Sequence, residues 1–285
     1  MGQKDITEKT LADYNDVFAD IVNVLLFDGQ HIVDENMLEN VKDKSQYKAD
    51  GNIHEEERDV SKVFKNQNIR IALVGFEHQT AVDKDEPFRI IAYDGASYKA
   101  QLLSKDNQRY PVITLVLYFG TERWNKAKSL HEALDIDENW LPYVNDYKIN
   151  LFEIAYLSEE KVNLFKSDFK IVADYFVQMR TNKDYNPSKE TITHVDAMLK
   201  LMSVLTDDNR FEESQNGSHK GGVMNMCEVL DKAEAKGRIE GRIEGRIEGK
   251  IELLLEDGAS VEAIARRLNM DISEVEHIIA SLDNK

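Results

Sequence analysis

Hydrophobic residues recur along this chain at two different spacings, which predict helices and strands in alternation. Residues 5–27 carry an apolar side chain every three or four positions, the spacing of one face of an amphipathic helix. These positions are Leu11, Tyr14, Val17, Phe18, Ile21, Val22, Leu25 and Leu26. Residues 158–181 and 188–206 show the same spacing, so we predict two further helices that pack into the core.

Shorter stretches alternate apolar and polar residues, or are apolar throughout, as strands do. Residues 57–64 and 69–76 flank an asparagine-containing turn and predict a β-hairpin. Residues 111–120 are apolar on both faces and predict a central strand, with residues 149–157 pairing beside it. An earlier strand is expected within residues 53–63, where the pattern does not separate it from the strand at 57–64.

Residues 80–87 combine capping residues with a proline in the first turn, and so predict the start of a helix that runs to about residue 103. Its small and apolar residues predict the face that packs on the sheet. They are Phe88, Ile91, Ala92, Gly95 and Ala96.

Two segments lack a regular pattern. Residues 34–57 are charged and irregular, and they predict a surface turn at 47–51. An acidic insertion follows the central strand, and we interpret its aromatic residues as packing residues and its histidine as a helix-surface residue. The residues concerned are Trp124, His131, Trp140 and Tyr143.

A four-residue repeat, Gly-Arg-Ile-Glu, fills residues 237–252, with lysine replacing arginine in the last copy. Its flanks have a helical pattern, so the repeat predicts one long helix with isoleucine between an arginine flank and a glutamate flank. A parallel two-fold pair sets the arginine flank of one helix against the glutamate flank of the other. We therefore predict a parallel homodimer through residues 227–255; the alternative is a flexible charged tether.

Residues 260–279 resemble a helix-turn-helix, with Ala265 as the small residue and Val275 and Ile278 on the packing face. Acidic residues on the second helix make it a poor surface for a DNA major groove. We interpret this segment as a structural cap rather than a DNA reader.

These patterns predict an α/β fold, a mixed sheet flanked by helices, with a C-terminal α-helical extension. We predict a main domain at residues 1–206, a linker at 207–222, the long helix at 223–257 and the cap at 258–285.

Composition narrows the function. The chain has 285 residues and a formal net charge of −17, which counts against broad, non-specific nucleic-acid binding. The single cysteine, Cys227, excludes a disulfide framework, a zinc ribbon and an iron–sulfur cluster. With no apolar stretch of a signal peptide and no run of membrane-spanning length, we expect a cytoplasmic protein without membrane contact.

Candidate chemistry lies around the predicted hairpin. Asp59 belongs to its first strand, and Glu77 and Gln79 end its second strand on a shared face. The hairpin can bring Asp59 beside that pair. Two carboxylates and an amide form a hard-oxygen site that suits Mg²⁺, or another divalent cation such as Mn²⁺ or Ca²⁺, better than zinc.

Asp59, residues 76–80, residues 87–89 and Tyr93, in this order, resemble the recombination-promoting nuclease (Rpn, YhgA-like) proteins. These are bacterial transposase-like members of the PD-(D/E)XK nuclease superfamily. The resemblance covers roughly the first 180 residues. It implies the superfamily's restriction-endonuclease-like αβββαβ core.

The resemblance also implies roles for the acidic residues and the amide. Asp59 and Glu77 are expected to hold the metal ion. Asp16 is expected to contribute the acid of the first helix. Alternatively, the stripe of Asp13, Asp16 and Asp20 on that helix is a solvated acidic face. Gln79 stands where the superfamily usually has lysine, and it can orient a water or a phosphate oxygen without supplying positive charge.

Arg89 and Tyr93 lie one turn apart on the predicted helix. By the resemblance they are phosphate contacts near the metal ion. The alternative is that Arg89 forms a surface salt bridge.

The function implied is that of a metal-dependent DNA endonuclease that hydrolyses phosphodiester bonds and promotes recombination, with DNA as its partner. One alternative is a catalytically weak nuclease fold that acts as a homo-oligomeric binding or assembly module. A second alternative is a transposase accessory that binds DNA through the C-terminal segment without cutting.

Overall fold

The computed structural model describes most of the chain in two compact units, Met1–Cys227 and Glu228–Lys285. The described residues are 11–41, 44–49, 52–57, 60–65, 69–74, 85–105, 109–206, 211 and 224–282.

A five-stranded mixed sheet forms the centre of the first unit, in the order β1-β4-β5-β6-β7. Its strands are β1 (Leu38–Asn40), β4 (Val60–Phe64), β5 (Ile69–Val74), β6 (Val112–Tyr118) and β7 (Asn150–Glu153). The pairs β1–β4 and β4–β5 are antiparallel, whereas β5–β6 and β6–β7 are parallel. The predicted hairpin and the pairing of the two later strands are confirmed, and so is the mixed α/β fold class.

A second hairpin joins β2 (Lys44–Ala49) to β3 (Asn52–Glu57), and these strands pair antiparallel in a sheet of their own. The prediction of an irregular segment with a turn at 47–51 was wrong for residues 47–49, which belong to β2. The sequence did not predict β2 and β3, because both strands consist largely of polar and charged residues and so show no hydrophobic alternation.

Helices cover the sheet and fill the rest of the first unit. They are α1 (Asn15–Phe27), α2 (Glu86–Leu103), α3 (Leu130–Ala133), α4 (Glu159–Val162), α5 (Phe169–Asn182) and α6 (Val195–Thr206). A short pair, β8 (Thr191–Ile192) with β9 (Met224–Asn225), adds a third small sheet.

The helix predicted over residues 5–27 is interrupted before α1. Tyr14 has an extended backbone, with φ −71° and ψ 129°, and its ring stacks on His194. The carbonyl of Asp13 accepts a hydrogen bond from Lys62 Nζ at 2.7 Å. These contacts replace a regular helical turn, while the predicted apolar face is buried at Val17 and Phe18.

The buried face of α2 is largely polar, so the predicted packing face was wrong. The buried residues of α2 are Glu86, Pro87, Ile90, Asp94, Ser97 and Gln101. Phe88 is 38 % exposed, and Ala92 and Gly95 are exposed too. Hydrogen bonds favour this orientation, because Asp94 binds Thr114 on β6 and Gln101 binds the backbone of Tyr110 just before β6.

Three further boundaries differ from the predictions. The strand predicted to reach residue 157 ends at Glu153, and the chain continues as a 3₁₀ turn, Ile154–Tyr156. In that turn the Ala155 carbonyl accepts a hydrogen bond from Arg180 Nε at 2.6 Å, so it is not available for strand pairing. The helix predicted at 158–181 is split because Asp20 accepts the N–H groups of residues 166 and 167. The helix predicted at 188–206 begins at residue 195, since residues 191–192 pair with β9 instead.

The acidic insertion packs less than predicted. Trp124 is buried, but Trp140 is 66 % and Tyr143 80 % exposed. A backbone hydrogen bond from the Trp140 N–H to the Asp137 carbonyl, at 2.9 Å, stabilises this segment. The two aromatic side chains are therefore not needed to hold it in place. His131 is half-buried rather than on the surface, with a ring nitrogen 2.7 Å from the Val144 carbonyl oxygen.

The second unit consists of the long helix and the two helices after it. The repeat lies in the single helix α7 (Met226–Glu256), as predicted. The segments α8 (Val261–Leu268) and α9 (Ile272–Leu282) form the predicted helix-turn-helix, with Asn269 in the left-handed conformation at the turn. Ile251 of α7 is buried with Ile264, Ala265 and Val275. The helices α8 and α9 therefore cover the C-terminal end of the row of repeat isoleucines on α7, which we call the isoleucine seam.

In the parts of the chain described above, no helix combines the length and apolar character needed to cross a membrane.

Candidate functional site

The hairpin β4–β5 brings the start of one strand beside the end of the next. Val60, the first residue of β4, pairs with Leu73, next to the last residue of β5. Since β5, β6 and β7 run parallel, they end on the same side of the sheet, which we call the carboxyl edge. Asp59 precedes β4 in the sequence, and Glu77 and Gln79 follow β5, but all three lie outside the described residues.

Asp16 lies in the first turn of α1 and is bound to a histidine that the sequence did not single out. Its carboxylate is 2.9 Å from His194 Nε2, and the His194 ring stacks on Tyr14 with centroids 3.6 Å apart. The backbone N–H of His194 donates to the buried carboxylate of Asp168 at 2.6 Å. The structure therefore gives Asp16 a histidine partner 178 residues away, which no local sequence signal could reveal.

Asp20, another acid of that stripe, has a structural partner. Asp20 Oδ2 accepts the backbone N–H groups of Lys166 and Ser167, at 2.8 and 2.7 Å. A carboxylate that satisfies two backbone donors holds the connection between α4 and α5 in place. The solvated-face interpretation is therefore wrong for Asp20.

Arg89 and Tyr93 both belong to α2, one turn apart. Arg89 Nη1 lies 3.1 Å from Glu86 Oε2, and the Glu86 side chain is fully buried. The partly buried Tyr93 packs against the cluster that contains Ile90 and Tyr118. The salt-bridge alternative for Arg89 thus has a partner, but that partner is buried rather than at the surface.

Beneath α2, a polar network joins the helix to the sheet. Asp94 accepts hydrogen bonds from the Thr114 hydroxyl at 2.6 Å and from the Tyr147 hydroxyl. The buried guanidinium of Arg70 donates from Nε to Ser61 Oγ at 3.0 Å. Burial lowers the pKa of Arg70, and the negative potential of Tyr110 and Asp94 partly offsets that effect.

On the opposite face of β4, Lys62 is a second buried cation. Its ammonium donates to the Asp13 carbonyl, to Asn15 Oδ1 at 2.8 Å and to Asn40 Oδ1. Burial lowers the pKa of Lys62, while the nearby charge of Asp13 raises it. The sequence analysis missed Lys62 and Arg70, because alternation in a strand predicts apolar residues at its buried positions.

Comparison with known families identifies the chain. Residues 30–205, more than half of its length, match the family model described as "Putative transposase, YhgA-like". The chain belongs to this YhgA-like family. The family assignment predicted from Asp59, residues 76–80 and the motif on α2 is thereby confirmed. No curated protein and no solved structure matches the chain.

The described part of this YhgA-like protein contains no group of three or more His, Cys, Asp or Glu residues that could hold a metal ion. The predicted metal ligands Asp59 and Glu77 lie outside that part of the chain. Their carboxylates, with the amide of Gln79, are oxygen donors that fit Mg²⁺ in kind. The start of β4 and the end of β5 lie side by side, which suits a site supplied from those two segments.

Proposed function

We propose that this YhgA-like protein is a metal-dependent DNA endonuclease whose site lies where β4 begins and β5 ends. The observation that carries the proposal is the β4–β5 register, which pairs Val60 with Leu73. In the sequence, Asp59 immediately precedes β4, and Glu77 follows β5 by three residues. The reaction is hydrolysis of a phosphodiester bond, and the DNA break would promote recombination.

Each residue of the proposed site has a distinct role. Asp59 and Glu77 would hold Mg²⁺, which when bound supplies Lewis-acid polarisation of the phosphate and a lowered pKa of the attacking water. Gln79 would orient that water or a phosphate oxygen through its amide. Arg89 would contact a phosphate, and Tyr93 would support the helix that carries it.

The register sets a condition on this site. Directly paired residues share a face, so regular alternation would put Asp59 on the face of Ser61 and Ala72. The same alternation would put Glu77 on the opposite face. The proposal therefore requires one irregular residue, such as a β-bulge, between β5 and Glu77 or before β4.

Cleavage of supercoiled plasmid tests the proposal, with Mg²⁺, Mn²⁺, Ca²⁺ or EDTA present and with the Asp59→Ala and Glu77→Ala variants beside the wild type. We expect cutting that needs the metal ion and is lost in both variants. Asp16→Asn should reduce cutting less, because the Asp16 carboxylate is bound to His194. Cutting that survives Asp59→Ala and Glu77→Ala, or wild-type protein that never cuts, would refute the proposal.

A second candidate function is assembly without strong catalysis. It is favoured by the net charge of −17 and by the exposure of the isoleucine seam, where Ile239 is 60 % exposed. In this view α7 binds the α7 of a second copy, in parallel, and the nuclease fold recruits partners.

The third alternative is DNA binding by α8 and α9. It gains no support from α9, because the acidic side chains of Glu274 and Glu276 are exposed on that helix.

A further inference from the structure

Two arginines lie over one tyrosine ring at the carboxyl edge. The guanidinium carbon of Arg123 is 3.8 Å from the centroid of the Tyr156 ring, and that of Arg180 is 4.5 Å from the same centroid. Tyr156 ends the 3₁₀ turn that follows β7, and its hydroxyl donates to the Thr121 carbonyl at 2.8 Å, just after β6. The cluster of Arg123, Tyr156 and Arg180 therefore spans the ends of two parallel strands.

The backbone and a half-buried acid hold the two guanidinium groups in place. Arg180 Nε donates to the Ala155 carbonyl at 2.6 Å, which anchors its guanidinium to the backbone. Arg123 Nη1 lies 3.1 Å from Glu153 Oε2, while Glu153 Oε1 accepts the Trp124 N–H at 2.9 Å. Stacking on an aromatic ring and a fixed bond on one edge reduce the entropy lost when the other edge binds a ligand.

The cluster keeps unused donors and positive charge. Glu153 neutralises Arg123, but within the described residues no carboxylate lies within salt-bridge distance of Arg180. The terminal nitrogens of Arg180 make no hydrogen bond there either. The Arg123 side chain is 65 % exposed. Planar, fork-like donors with this geometry match the oxygens of a phosphate.

The location points to the ligand. In open α/β sheets, ligands bind outside the carboxyl ends of the strands. The proposed metal site lies at the end of β5 on the same edge, and β6 and β7 follow it in order. A protein with a net charge of −17 has to contact a polyanion through a few local cations.

We propose that Arg123 and Arg180, stacked on Tyr156, bind a backbone phosphate of the DNA strand that crosses the carboxyl edge. This site adds contacts beyond the family motif, and it rests on the proposed function for the identity of its ligand. Glu122, exposed next to Arg123, is a repulsive charge beside that phosphate.

Binding of the full-length protein to a fluorescent DNA duplex in Ca²⁺ tests this site, with the salt concentration varied between about 50 and 200 mM. The variants are Arg123→Gln, Arg180→Gln and their combination. We expect the double variant to bind roughly tenfold more weakly, and the salt slope to fall by about 0.9 for each phosphate contact removed. Glu122→Gln should bind DNA more tightly than the wild type.

Lys148→Gln is the matched control, because Lys148 is an exposed cation before the other end of β7. It removes the same charge and should leave affinity close to that of the wild type. Arg123→Gln changes an exposed side chain, so its effect on binding is separable from folding by thermal unfolding. If Arg123→Gln, Arg180→Gln and Lys148→Gln, which each remove one charge, weaken binding equally, the site is refuted while the proposed endonuclease stands. If the wild type does not bind DNA, both proposals fail.

Discussion

Gly120 and Gly95 are two glycines with opposite surroundings. A Cβ atom on Gly120, just after β6, would lie 2.0 Å from the hydroxyl oxygen of the buried Tyr118. A Cβ atom on Gly95, in the exposed middle of α2, would meet nothing within 4 Å. Close packing against Tyr118 therefore requires glycine at position 120, whereas position 95 has room for a larger side chain.

We therefore predict opposite effects of the same substitution. Gly120→Ala should lower the free energy of unfolding by about 1–3 kcal/mol, because the Tyr118 ring has to move within a packed core. Gly95→Ala should raise it by about 0.4–1 kcal/mol, since alanine is the better helix former. Urea denaturation measures both changes, and equal effects of the two variants would contradict this account.

At the scale of single residues, the sequence predicted the family motif but few of the side-chain contacts that its residues make. The Rpn-like positions were recognisable because their order and spacing are a local pattern. His194 as the partner of Asp16, and Lys62 and Arg70 as buried cations, depend on contacts between segments far apart in the chain. Such pairings are set by tertiary packing, which a single sequence does not display.

Among the elements, α2 shows how packing overrides periodicity. The sequence predicted burial of Ala92 and Gly95, whereas the structure buries Asp94 and Gln101. Asp94 binds Thr114 and Tyr147, and Gln101 exchanges two hydrogen bonds with the backbone of Tyr110. The strands were predicted better, because two neighbouring strands with apolar faces leave a clear alternation in the sequence.

Two substitutions on α2 distinguish these orientations. Asp94→Ala should lower the free energy of unfolding by about 3 kcal/mol, because it leaves Thr114, Tyr147 and the charge of Arg70 without a buried carboxylate. Ala92→Lys should change it by no more than about 0.5 kcal/mol, because that position is exposed. Thermal or urea unfolding measures both. A large loss in Ala92→Lys and a small one in Asp94→Ala would mean that α2 faces the other way.

For the whole molecule, we propose that α7 makes a parallel homodimer. The isoleucine seam rotates by about 40° per repeat, because four residues turn the helix slightly more than once. Ile251 is already buried under α8 and α9, so the seam open to a second copy lies before it, around Ile239. Cys227 is a poor probe of this pair, because its thiol donates to the Pro187 carbonyl at 3.3 Å.

Disulfide cross-linking tests the dimer in a Cys227→Ser background. Ile239→Cys should link two copies under mild oxidation, because a parallel pair sets equivalent seam positions side by side. Gly245→Cys, exposed and away from the neighbouring isoleucines, is the control and should link poorly. Absence of the Ile239→Cys link, with the protein still self-associating, would exclude the parallel arrangement.

The polar underside of α2 has a mechanical consequence for the molecule. A helix with an apolar face can slide or roll by a residue and exchange one hydrophobic contact for another. If α2 rolled, Asp94 and Gln101 would leave their partners and a buried guanidinium would lose its counter-charge. The helix therefore has one angular setting, and this also fixes the orientation of Arg89, whose guanidinium is bound to the buried Glu86. A duplex bound as proposed above would therefore adjust through its own bending or through other segments of the protein, and not through a rotation of α2.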